Sequence, residues 1–264
     1  MIGALNKLMW GELNMKNNQS DMIIGRHPVV AALQNKKQSI NKVFLQDNVK
    51  YDDTINEIVK LSKERHLVIS KVPRQKLDYL SDHQNHQGVI LAIAAYKYFT
   101  IDDTLHHAHE MGTDPFFLVL DRIEDPHNLG SMLRTADATG VTGVIIPKRR
   151  AVGLTSTVAK ASAGAIERVP VVRVTNLVKT VKKLKKMGTW IFGTDIHGVD
   201  YRRWNAKGPV ALVIGNEGKG ISPLLKKQMD EMLTIPMLGK IQSLNASVAA
   251  GLVMYQGFNS RHSL

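Results

Sequence analysis

From Phe116 onward, short continuous apolar runs alternate with stretches of helical periodicity, and nothing else in the chain restricts the fold as much. The runs read FFLVL, GVIIP, VPVVRV, TWIFG, PVALVIG and LTIPM. Helical patterns start at about Leu129, fill 156–165, and recur in LVKTVKKLKK, SPLLKKQMDEM and NASVAAGLVMYQGF. Strands that are apolar at nearly every position are buried on both faces, and helices between them act as crossovers joining parallel neighbours. The pattern predicts an α/β domain with a mostly parallel sheet over residues 116–264.

The first 115 residues read differently. Residues 1–20, rich in Asn, Lys and Met and without period, read as a flexible N-terminal extension. Over 21–95, MIIGRHPVVAALQ predicts a strand, a Gly turn and a helix starting near Pro28; KVFLQ, LVISKV and GVILAIA predict strands, and YDDTINEIVKLSKERH an amphipathic helix with acids in its first turn. This is a small α/β domain. Residues 96–115 turn polar and read as a linker with one helical stretch. His106, His107 and His109 cluster there, but with no fourth ligand placed beside them a solvated helix accounts for them better than a metal.

The absence of Cys excludes disulfides, Cys-ligated zinc, iron–sulfur clusters and thiol nucleophiles. No apolar run reaches the ~18 residues of a membrane span, and the first 20 residues lack the pattern of a secretory leader, so a cytoplasmic protein is expected. A formal net charge of +12 favours a polyanionic partner, nucleic acid before others.

Ligands of parallel α/β sheets bind in loops beyond the carboxyl ends of the strands. Three such stretches carry more polar groups than a bare fold requires. In DPHNLGSMLRTADATG (125–140), Asn128 sits near a helix start, where a plain N-cap also explains it, and Gly130 permits a close approach. Arg134, among Leu133, Thr135 and Ala136, offers a fork of donors suited to phosphate or carboxylate. In VIGNEGKGIS (213–222), three glycines and Glu217 follow a strand, yet neither the P-loop nor the dinucleotide glycine pattern fits. In IPMLGKIQSLNASVAAG (235–251), a loop enters a helix carrying Ser243, Asn245 and Ser247, and one N-cap cannot explain all three.

In this order and near these spacings, the three stretches resemble the signature motifs of the SpoU (TrmH-type) RNA 2′-O-ribose methyltransferases of the SPOUT superfamily. The match runs from Phe116 to about Phe258 and departs from the pattern at none of the positions that carry it. The resemblance implies an α/β domain with a deep trefoil knot at its C-terminal end, a rare exception to the unknotted rule. It implies S-adenosylmethionine as cofactor, bound by Thr194, Gly215, Ile235, Met237, Leu244 and Asn245. It implies a catalytic set of Asn128, Arg134, Glu217, Ser243 and Asn245, with Arg134 organising the ribose hydroxyl and an RNA phosphate. A homodimer follows from it too, because in many members this arginine reaches the partner's cofactor pocket. IIGRHPVVAALQ followed by INKVFLQ is similar to the small RNA-binding domain of family members that modify 23S rRNA and of related tRNA enzymes.

These implications together give an RNA guanosine 2′-O-methyltransferase, with 23S rRNA favoured over tRNA and neither membrane nor metal as a partner. The alternatives are a tRNA enzyme, an antibiotic-resistance methyltransferase of the same fold, and a non-catalytic RNA-binding factor; the intact residue set argues against the last. PKRRA (147–151), VKKLKK (181–186) and YRRW (201–204) are the densest basic patches, each a solvated face by default.

Overall fold

A computed structural model describes residues 22–35, 38–81, 83–93, 96–239 and 243–262. The extension expected over 1–20 lies outside the described residues. The chain divides into a smaller unit, which extends to Lys97 and includes Gly153–Ser156, and a larger one formed by Tyr98–Val152 and the chain from Thr157.

The smaller unit runs β1 (Met22–Ile24), α1 (Arg26–Gln34), β2 (Ile40–Gln46), α2 (Asp53–Glu64), β3 (Ile69–Val72), α3 (Arg74–Leu80) and β4 (Val89–Ile93). Its sheet has the order β1-β4-β2-β3, with β2 and β3 parallel and the other pairs antiparallel. Val29 and Leu33 of α1 and Ile55 and Ile58 of α2 pack with Val43, Leu45, Val89 and Leu91 of the sheet. Asp52 caps α2 by accepting from the Ile55 N–H at 3.0 Å. That bond, reinforced by Arg26, holds the Asp52 carboxyl below its ordinary pKa against the opposing effect of desolvation. Helix α3 carries no periodic apolar signal, since Leu77 is its one buried side chain.

The larger unit contains α4 (Ile101–Glu110), β5 (Phe116–Leu120), α5 (Pro126–Ala138), β6 (Gly143–Pro147), α6 (Ser156–Ala161), β7 (Val171–Val174), α7 (Leu177–Lys186), β8 (Trp190–Asp200), β9 (Val210–Ile214), α8 (Pro223–Lys226), β10 (Glu231–Thr234) and α9 (Ala246–Arg261). Its six strands are parallel throughout, in the order β10-β8-β9-β5-β6-β7. Every residue of the central strands β5 and β9 is buried, as their unbroken apolar runs require.

The polar stretch 96–115 holds α4, opened by a reciprocal capping box between Thr100 and Asp103. Ile101, Thr104 and Ala108 are buried, and the Thr104 methyl faces the place a Cβ would take on Gly143. The three histidines lie on this helix, and among the described residues no group of three or more His, Cys, Asp or Glu is placed to hold a metal. No helix among them is long and apolar enough to cross a membrane.

Besides α3, three elements differ from the sequence reading: the helix expected over 156–165 ends at Ala161, and two others depart further. The helix expected through SPLLKKQMDEM spans only Pro223–Lys226. Asp230 accepts from the Ile191 N–H at 2.9 Å and pairs with Lys185 at 2.6 Å, which turns the chain into β10. Strand β8 continues past TWIFG to Asp200, and its pairing with β10 jumps from Gly193 to Val199, so that 194–198 bulge out of the ladder.

Gly130 has a clear packing reason: a Cβ there would overlap the Cβ of Ala161 on α6. Gly130→Ala is therefore expected to destabilise the protein by about 1–3 kcal/mol. A lowered urea midpoint with unchanged slope is the reading that checks this.

Candidate functional site

The parallel sheet delivers the ends of β8, β9 and β10 to one side, where the chain leaves each strand in a loop. There the larger unit has a cleft of about 390 Å³. Thr194, Gly215, Ile235, Met237, Ser243 and Leu244, all anticipated from sequence, line it. Thr194 gets there through the β8 bulge, and Gly215 by directly following β9. Gly215 is crowded on its other side, where a Cβ would overlap the backbone of Gly220 and Ile221. Asp195, also in the wall, pairs with Lys226 at 2.6 Å; burial pushes its carboxyl up, but Lys226 and the His197 and Ile196 backbone bring it below the usual range.

At the edge of this cleft three segments distant in sequence meet on one carboxylate. Glu217 Oε1 accepts from Asn128 Nδ2 at 2.8 Å, Asn245 Nδ2 at 2.7 Å and the Ala246 N–H at 3.2 Å. Asn245 Nδ2 also donates to Asn128 Oδ1 at 3.0 Å, closing the ring of three side chains. Asn245 is at the same time the N-cap of α9, its Oδ1 accepting from the Ser247 and Val248 N–H groups and the Ser247 hydroxyl. A carboxylate at a helix N-terminus is favoured by the helix dipole as well as by these bonds. Glu217 Oε2 has no partner among the described residues.

Asn128 is not the cap of α5. Asp125 fills that place, accepting from the His127 N–H at 2.7 Å, with Pro126 at the first helical position. This leaves the Asn128 amide to bridge Glu217 and Asn245. Arg134 is outside the network. Six residues further along α5 it lies roughly 120° around the helix and about 9 Å along it. It is exposed and makes no hydrogen bond or ion pair among the described residues. Ser243 is exposed in the cleft wall, likewise without a hydrogen bond among them.

The sequence reading passed over Asp121 and Arg122, which follow β5. Buried Asp121 accepts from the Ser222 N–H at 2.7 Å. Arg122, at φ 62°, donates to Gly220 O at 3.1 Å and accepts on its own carbonyl from Asn216 Nδ2 at 3.1 Å. Together they fix the 215–222 loop and so hold Glu217 in place. The signal available was a charged pair directly behind a fully apolar strand.

The basic patches divide in two. In VKKLKK, Val181 and Leu184 are buried, Lys182, Lys183 and Lys186 are exposed with Lys183 paired to Asp102 at 3.1 Å, and half-buried Lys185 is taken by Asp230. In YRRW, Trp204 is buried and Arg202 is bound bidentately by Asp200, whose carboxyl this holds at about 2. Arg203, Arg149 and Arg150 remain exposed.

Residues 115–255 match the family described as SpoU rRNA Methylase, and residues 22–99 match one described as RNA 2′-O ribose methyltransferase substrate binding. YacO of Bacillus subtilis, named for the TrmH family of tRNA/rRNA methyltransferases, is 47% identical over 93% of this chain and 98% of its own. A Staphylococcus aureus protein named for the same family is 50% identical over the same shares. Among solved structures, the SpoU methyltransferase AviRb from Streptomyces viridochromogenes, in complex with AdoMet, superposes with a TM-score of 0.58 at 22% identity, covering 92% of this chain and 90% of that one. The A. aeolicus TrmH/SpoU tRNA modifying enzyme gives a TM-score of 0.52 at 28% identity over 60% of this chain and 83% of its own.

Asn245 can be separated into its two tasks. Asn245→Ser keeps a capping oxygen and loses the two donations; Asn245→Asp keeps the cap but sets a second carboxylate against Glu217. At pH 7 the Asp variant is expected to be about 1 kcal/mol less stable than the Ser variant, read from paired denaturation curves.

Proposed function

The chain belongs to the SpoU rRNA Methylase family, and we propose that it transfers a methyl group from S-adenosylmethionine to the ribose 2′-hydroxyl of a guanosine in 23S rRNA. The observation that carries this reading is the Asn128–Glu217–Asn245 ring at the edge of the cleft. A purely RNA-binding surface has no need of three side chains locked together beside a pocket.

The cleft suits the cofactor. Ile235, Met237 and Leu244 give apolar surface for an adenine ring, and Gly215 brings backbone groups to the wall. When bound, S-adenosylmethionine supplies an electrophilic methyl group on a sulfonium. The remaining demands are placement of the 2′-oxygen in line and removal of its proton. Among the described residues, Glu217 Oε2 and the Ser243 hydroxyl are uncommitted acceptors next to the cleft, and they orient the incoming ribose. Asn128 and Asn245 hold Glu217 for that task. Arg134, with five donors in a fixed fork, binds the flanking phosphate and polarises the hydroxyl; a guanidinium offers donors and no acceptor, which makes it an organiser rather than a proton acceptor.

Because Arg134 is exposed, outside the ring and about 120° around α5 from Asn128, it acts in this reading in the site of a second copy. Val248, Leu252 and Tyr255, spaced i, i+4 and i+7 on α9, are 52%, 39% and 49% exposed and form an apolar stripe suited to a two-fold interface. Thr135, adjacent to Arg134, packs towards Gly251 of α9, so α5 and the helix that carries the stripe are neighbours. The trefoil knot at the C-terminal end of the larger unit and a cytoplasmic site of action belong to the same reading. The smaller unit binds the RNA substrate.

Relatives are named for both tRNA and rRNA, so transfer to tRNA is the second reading. The test is incubation with methyl-labelled S-adenosylmethionine and either unmodified 23S rRNA or bulk tRNA. Label in one guanosine of 23S rRNA, recovered in an alkali-resistant dinucleotide, supports the proposal; label confined to tRNA moves the substrate, and label on a base overturns the ribose assignment. Arg134→Ala is expected to lose at least about a hundredfold in kcat while binding the cofactor as the wild type does in calorimetry. Leu252→Asp is expected to run as a monomer in light scattering.

A further inference from the structure

The smaller unit has a cleft of its own, of about 520 Å³, walled almost entirely by polar side chains. It opens between the start of α1, the exit of β2, the outer face of α3 and the loop 83–88 before β4. That loop is held in an unusual shape: His83 and Gln87 are left-handed at φ 59° and 51°, a region that residues other than glycine seldom occupy. Such conformations persist only where surrounding contacts impose them, and they gather at binding sites.

The contacts are explicit. The His86 ring is buried; its Nδ1 accepts from the Gly88 N–H at 2.9 Å, which leaves the proton on Nε2 to be donated to Asp78 Oδ1 at 2.9 Å. Arg26 Nε donates to Gln87 O at 3.0 Å, the Arg26 N–H donates to Gln87 Oε1 at 3.1 Å, and the guanidinium is also paired with Asp52. The walls are thus fixed without using the groups that face the opening. The carboxamides of Gln46, Asn48, Gln84 and Asn85 have no partner among the described residues, and the Lys50 ammonium has no counter-ion among them.

A carboxamide presents one donor edge and one acceptor edge, as the hydrogen-bonding edge of a nucleobase does. A carboxylate ligand would leave the acceptors unused, and an apolar one would bury all of these groups unpaired. Tyr51 and Tyr79, which follow Lys50 and Asp78 in sequence, are 48% and 77% exposed, with the Lys76 ammonium 5.2 Å from the Tyr79 ring centre. Exposed aromatic rings beside cations are platforms for unstacked bases.

We propose that this cleft receives one unpaired nucleotide of the RNA substrate, its base read by the carboxamides of Gln46, Asn48, Gln84 and Asn85 and its phosphate held by Lys50. The proposal rests on the reading of the chain as an RNA-modifying enzyme for the identity of the polymer, and adds where and in what state the polymer is gripped. A base inside a duplex cannot enter, so recognition selects RNA with an extruded or looped nucleotide.

The test uses the full chain and five fluorescent hairpin RNAs, one fully paired and four identical to it except for a single bulged nucleotide, one for each base. Anisotropy titrations are run on the wild type and on Asn48→Ala/Asn85→Ala, with thermal melts to verify folding. The wild type is expected to bind at least one bulged hairpin about tenfold more tightly than the fully paired one, and the variant to lose that preference while binding the paired hairpin equally well. A wild type that treats all hairpins alike, or a variant that keeps the preference, overturns the proposal. Neither outcome involves methyl transfer, so failure of the enzymatic reading shows separately, as absence of label in any RNA.

Discussion

Glu217 Oε1 is the point on which the site of the larger unit depends. It receives donors from α5, from the α9 N-cap side chain and from the α9 backbone, so the carboxylate joins residues 89 and 28 positions away in sequence. Solvent exposure limits what each bond contributes to stability. Its weight is geometric: one oxygen sets the distance between two helices and the loop behind β9, and those three elements form the rim of the cleft. The loop is braced in turn by Asp121 and Arg122, which bond to Ser222, Gly220 and Asn216 from the end of β5. The parallel sheet brings all of these to one side because every strand ends there.

The fold was largely legible where burial is complete. Strands β5 and β9 are apolar at every position and buried at every position, and the crossover helices repeat at the helical period. What could not be read has physical causes. Helix α3 buries one side chain and leaves no period. The outer half of β8, TDIHGVD, pairs with β10 only through Val199 and Asp200 after a jump in register, so it lacks the apolar run that marked its first half. Helix α8 stops early because Asp230 is drawn to Ile191 and Lys185, a tertiary attraction stronger than the local helical preference.

The candidate site divides along the same line. Of the residues that the resemblance implies for cofactor binding, Thr194, Gly215, Ile235, Met237 and Leu244 line one cleft, while Asn245 stands at its edge. Asn128 looked like a cap because its actual partners lie 89 and 117 residues away. Asp125 was the better cap, placed just before Pro126. The polar cleft of the smaller unit was written in QDN at 46–48 and HQNHQG at 83–88, two amide-rich segments with no strand or helix period, which the search for motifs passed over.

The proposed site is a shared one, in which one chain holds the cofactor and the Glu217 ring while a second chain supplies Arg134. It is tested most directly by mixing two variants that are each inactive, Arg134→Ala and Glu217→Ala, after both have been dissociated and allowed to re-pair. If the site is shared, mixed dimers contain one complete site, and random pairing restores methyl transfer to about a quarter of the wild-type rate. If the mixture stays as inactive as its components while mixed dimers form, no site is shared and Arg134 does not act across the interface.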